Sequence, residues 1–294
     1  APYWERVSPH VVFDNESDVN EAAERLVEAK RPLAAFHAVH LDWSKVETNR
    51  LKRLLRAVAT TSQERLPIFR LSEHDVSKAF KSLNARADVS KDELATLEFQ
   101  FLEALGRGKY GIPNLESQIC ANPALFVQAV ALAFRRNDGG KDPDGIGVQD
   151  AAKREAVATA AYWLLDRIKR LPGTDEQGEI HIEKLKAWLK TVRSELKALG
   201  RAEIGDERIG QILARDAKNA PGSWPNAEIC EAIEWMAAEH VAQGFHVAER
   251  NSRGVVWRGE GGNQERELAA RYRSIAQLLA YTYPFVSALI EGIA

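Results

Sequence analysis

The sequence predicts an all-α fold: a solenoid-like array or irregular bundle of helices, with one small β-hairpin near 245–258. Three observations carry this. Apolar residues recur at i, i+3, i+4 and i+7 in segment after segment, helix-starting residues stand at the head of most segments, and only Phe245 to Trp257 alternates as a strand does.

The first helix is expected from Asn15 to Lys30, where an Asn, Ser and Asp start precedes Val19, Ala22, Ala23, Leu26 and Val27 on one face. Pro32 opens the next, because its missing N–H costs nothing in a first turn. Leu51, Leu54, Leu55 and Val58 mark a third. Capping boxes at Ser72 to Asp75 and Ser90 to Glu93 place helices near 73–86 and 91–105. Pro113 and Pro123 start two more, the second ending at Arg135 and Arg136, whose charges suit a helix C-terminus. Further helices are expected at 149–170, 182–199, 206–214, Pro225 to Ala238, 263–281 and 284–293, with a turn at Pro172 and Gly173. Phe245, Val247, Val255 and Trp257 flank Asn251 to Gly254 as the arms of a hairpin. No fixed repeat period or repeat-family marker emerges.

Asn137 to Gly147, rich in glycine and aspartate, reads as a flexible linker. It divides an N-terminal helical array, 1–136, from a C-terminal helical region, 148–294.

Length and composition narrow the class. At 294 residues and 45% hydrophobic content the chain can bury a sizeable core. A net charge of −2 gives it neither the field of a nucleic-acid binder nor the acidity of a disordered tail. Cys120 and Cys230 lie in apolar helical contexts, as buried thiols of a reducing compartment do. No stretch approaches the roughly 18 apolar residues of a membrane span, and the N-terminus lacks signal-peptide regions, so a cytoplasmic location is expected. The chain begins at Ala1 and carries only Met236, and so reads as a piece of something longer.

Candidate chemistry centres on the loop from Arg250 to Gly262. Arg250, Arg253 and Arg258 sit among Gly254, Gly259, Gly261 and Gly262 and run into Arg266. Glycine lets backbone amides approach a ligand, arginine forks grip oxyanions, and the helix starting near Asn263 aims free N–H groups at the same place. The loop lacks the P-loop and dinucleotide-binding patterns. A tight turn with arginines paired to Glu249, Glu260, Glu265 and Glu267 is the structural alternative.

Two basic faces stand beside it. Lys186, Lys190, Arg193 and Lys197 line one face of the 182–199 helix, and Arg50, Lys52, Arg53 and Arg56 cluster on the helix near 48–60. Phosphate-backbone binding and a solvated face are both readings of such runs, and no aromatic interleaving favours nucleic acid. His37 and His40 lack a third metal ligand nearby. The segment 173–184 echoes a calcium loop, with Gly173 and Lys184 at its two anchor positions. The connection from Asp216 to Trp224 is too long for a helix-turn-helix. Neither a metal nor a cofactor is expected.

Three runs carry a resemblance: Gly111 to Glu116 with Asn122 to Phe126; Leu171 to Asp175; and Asn251 to Gly254 with Trp257 to Gly262 and Gln264 to Arg266. Together they resemble C-terminal helical regions of large, poorly characterised bacterial multidomain proteins. Some of these join helical arrays to nucleotide-driven signalling modules, including those of antiviral defence. The resemblance brings no catalytic motif.

The expectation is therefore a non-enzymatic recognition or scaffolding region of a larger bacterial protein, whose partner is another protein or another domain of the same polypeptide. Its alternative is an anion-directed module that binds nucleic acid or a nucleotide-type ligand through the basic faces and the arginine-glycine loop.

Overall fold

The computed structural model describes residues 15–61, 71–107, 110–143, 151–216, 224–252 and 262–294. Fifteen α-helices and one 3-10 turn account for most of them, and among the described residues there is no strand, only an isolated antiparallel bridge between Thr174 and Ile180. No described helix is long and apolar enough to cross a membrane. The chain forms two compact units, Ala1–Gln118 and Ile119–Ala294.

In the first unit, α1 (Glu16–Glu28) starts where the Asn15 side chain accepts from the Asp18 N–H at 3.0 Å, and it buries Val19, Ala22, Ala23 and Leu26. The pattern read in the sequence is thus its core face. α2 (Pro32–Val39) begins on its proline and is apolar nearly all round, so Ala34, Ala35, Phe36 and Val39 are all buried. A 3-10 turn, Trp43–Lys45, leads to α3 (Thr48–Thr60). Buried Asn20 pins that turn to α1, since its side chain donates to the Lys45 carbonyl and accepts from the Glu47 N–H.

α4 (Glu73–Asn84) starts after Ser72, whose side chain makes no cap bond, whereas Ser90 caps α5 (Lys91–Gln100) by accepting from Glu93 N at 3.2 Å. The helix expected over 91–105 is interrupted at Phe101. Its ring packs 5.5 Å from that of Phe80, and a short α6 (Leu102–Arg107) follows.

α7 (Pro113–Ala121) contains the division between the units. The second unit continues with α8 (Pro123–Ala133), α9 (Ala151–Arg167), α10 (Ile182–Ala198), α11 (Ala202–Asp216), α12 (Ala227–Met236), α13 (Glu239–Ser252), α14 (Asn263–Leu279) and α15 (Pro284–Glu291). Gly200 ends α10 at φ +66, the left-handed conformation that side chains resist, and the Arg201 N–H closes back on the Leu196 carbonyl at 2.8 Å.

Two expectations need correction. The first arm of the hairpin near 245–258 is helical, because residues 245–252 belong to α13. Val241, Phe245 and Glu249 are buried one turn apart while Val247 is exposed, so the period is that of a helix. Two alternating residues were too short a signal to separate strand from helix. Residues 253–258 lie outside the described residues.

The described part of the 137–147 segment is also no free linker. Asn137 N donates to the Gly200 carbonyl at 3.0 Å, its side chain donates to Glu203, Arg136 grips Asp138, and Asp142 pairs with Arg201 at 2.6 Å. Asp142 fastens the segment to Arg201 and Asn137 to Glu203 on α11, while Asp138 closes locally on Arg136 and the Gly140 N–H.

Candidate functional site

The basic face on α3 is neutralised by carboxylates from α1 and α5 and by Glu47 at its own start. Arg50 lies 3.6 Å from Glu24 and 3.1 Å from Glu47, and Arg53 also pairs with Glu24. Lys52 lies 3.0 Å from Glu93, which Arg56 shares. The Lys52 hydrogen bond, reinforced by Arg56, holds the Glu93 carboxyl below its usual range. The cluster laces α1, α3 and α5 together.

The α10 stripe is half used in the same way. Lys186 reaches Glu231 on α12 at 2.6 Å, and Arg193 grips Asp206 on α11 through Nε and Nη2 at 2.8 and 2.9 Å. Lys190 and Lys197 are exposed. A continuous row of four cations is reduced to two isolated ones.

Of the arginine-glycine loop, Arg253 and Arg258 lie outside the described residues. Arg250 is exposed in the last turn of α13, and Arg266, exposed in the first turn of α14, donates to Asn263. Glu249 is buried and accepts from the Tyr272 hydroxyl at 2.8 Å.

Among the described residues no three His, Cys, Asp or Glu side chains converge as metal ligands. His40 turns Nδ1 towards the His37 carbonyl, and the two rings stand 6.3 Å apart. In the loop that echoed a calcium site, Asp175 accepts from the Gln177 and Glu179 N–H groups and bonds His181 at 2.9 Å. Its carboxylate closes the turn.

The sequence reading missed a series of arginines seven residues apart, Arg201 immediately before α11 and Arg208 and Arg215 two turns apart on one face of it. Fully buried Arg201 donates to the Ala131, Phe134 and Leu199 carbonyls and pairs with Asp142, so it closes the end of α8. Arg215 donates to the Leu165 and Ile168 carbonyls and to Asp166, and so closes the end of α9. Burial lowers its pKa. Arg208 lies between them with its guanidinium 4.8 Å from the ring centres of both Phe134 and Tyr162. The seven-residue spacing beside Ile209, Ile212 and Leu213 was the available signal.

A second feature is apolar. Leu278 is 82% exposed and Tyr281 is 99% exposed at the end of α14, and Trp235 near the end of α12 is 46% exposed. These residues stand on an ordered frame. Glu234 accepts from the Phe285 and Val286 N–H groups at 2.9 and 3.1 Å, which caps α15, while Tyr283 N closes on the Leu279 carbonyl at 2.8 Å. The His246 ring bonds the Leu289 carbonyl at 2.7 Å, which ties α13 to α15. The turn bearing Tyr281 is therefore held from both sides with its side chain in water.

Comparison with protein-family models, curated proteins and solved structures gives no match for this chain.

Proposed function

We propose that this chain is a recognition and scaffolding region, a solenoid-like helical array that engages a protein partner or another domain of its own polypeptide. The observation that carries the reading is the pair Leu278, in the last turn of α14, and Tyr281, on the turn that follows; both are largely exposed, and Glu234 and the Leu279 carbonyl hold the turn in place. Exposed apolar side chains are common singly, but a leucine at a helix end and an aromatic three residues on, on the fixed turn after it, form a preorganised anchor. Sequential helices are packing partners, α1 with α2, α8 with α9 and α14 with α15, while the most extensive pair, α11 with α13, skips one helix. Neutralisation of the α3 cluster and of half the α10 stripe favours this reading over phosphate-backbone binding.

The test is a photo-crosslinking residue at position 281 in cells of the source organism, with and without Leu278→Glu. The expected result is one discrete protein adduct, lost with Leu278→Glu while the helical circular dichroism and melting temperature stay unchanged. Absence of a discrete crosslink, whether to another protein or within the same polypeptide, or one indifferent to Leu278→Glu, overturns the reading.

A further inference from the structure

We propose that Arg208 forms a binding site for a small oxyanion, a phosphate or carboxylate group, held at the guanidinium edge between the rings of Phe134 and Tyr162. Both faces of the guanidinium are covered, each ring centre lying 4.8 Å away, so only its in-plane edge can meet a ligand. Nη1 is engaged by the Gln211 Oε1 at 2.9 Å. Nε is buried without an acceptor, and among the described residues neither it nor Nη2 makes a hydrogen bond.

This Nε and Nη2 edge is the fork with which Arg193 grips Asp206 in the same unit. Arg201 has Asp142, Arg215 has Asp166 and Arg193 has Asp206, yet among the described residues no carboxylate pairs with Arg208, although only 8% of it is exposed. Buried charges are ordinarily paired, because the cost of desolvation falls on an uncompensated ion. The aromatic rings fix the fork before any ligand arrives, which removes most of the ordering cost of binding. Tyr162, 43% exposed, forms the outer wall.

The experiment is calorimetric titration of the full chain with inorganic pyrophosphate and, separately, with succinate at constant ionic strength. Saturable binding of one equivalent of pyrophosphate assigns a phosphate ligand, and of succinate a carboxylate. Arg208→Met should weaken that binding at least about fivefold and Arg208→Lys, which keeps the charge without the fork, by an intermediate amount. If Arg208→Met does not fold, Tyr162→Leu replaces it, and a loss of at least about threefold is expected. The proposal is overturned if neither anion binds saturably, or if the deciding variant loses less than these factors.

Discussion

Gly244 on α13 lies directly against Glu207 on α11, so close that a methyl group on Gly244 would stand 1.9 Å from the Glu207 carbonyl oxygen. Gly210 repeats the contact one turn on, where a methyl would stand 2.0 Å from the Val241 carbonyl. The two helices touch backbone to backbone. Gly244→Ala and Gly210→Ala should each destabilise the protein by about 1–3 kcal/mol, the scale of forced repacking. The double variant should deviate from additivity because both methyls push the same pair apart. Urea denaturation of the three variants measures this, and wild-type midpoints would show the interface to be compliant.

Arg201→Met should cost about 2–3 kcal/mol, because it leaves the Ala131, Phe134 and Leu199 carbonyls without their donor. The half-exposed Asp142 regains water and adds little. Thermal melting should show the loss, and hydrogen exchange should show it first at the end of α8.

Glu98 gives a pH dependence. Its buried carboxylate accepts from Leu115 N at 2.8 Å, from Asn114 and from Tyr110, and thus caps α7. Burial raises its pKa, with those hydrogen bonds opposing the shift. The folded state then holds the proton more tightly than the unfolded chain, so the group's contribution is greatest at low pH and declines as pH rises from the ordinary carboxyl range through the raised value. Stability measured against pH should carry this decline in the wild type, and Glu98→Gln should remove it.

The two cysteines should differ in reactivity. Burial pushes the Cys230 thiol up to about 12, whereas Cys120 is partly exposed. A thiol reagent at neutral pH should modify Cys120 in the native protein and reach Cys230 only after unfolding. Equal rates at both sites would contradict the packing of α12.

Most of the helices were legible in the sequence, because their signals lie within a few residues of one another, but α13 was not, since its Phe245 and Val247 read as a strand. Asn15, Ser90, Asn122 and Asn226 each accept from a nearby N–H, as local capping requires, and Leu51, Leu54, Leu55 and Val58 are buried as their spacing dictates. Boundaries were less legible. The helix expected over 91–105 is interrupted at Phe101, and α8 ends at Ala133, before the arginines that were expected to close it.

What the charges do depends on packing between distant segments. Lys52 meets Glu93 across 41 residues, Lys186 meets Glu231 across 45, and Arg201 reaches Ala131 across 70. One helix read alone shows a basic face, and only the folded chain brings the carboxylates that neutralise it. The same holds for Arg208, whose isolation between Phe134 and Tyr162 depends on α9 and the end of α8 meeting α11. Capping and periodicity act over one or two turns, whereas ion pairing and ring stacking depend on which distant segments the packed core holds together.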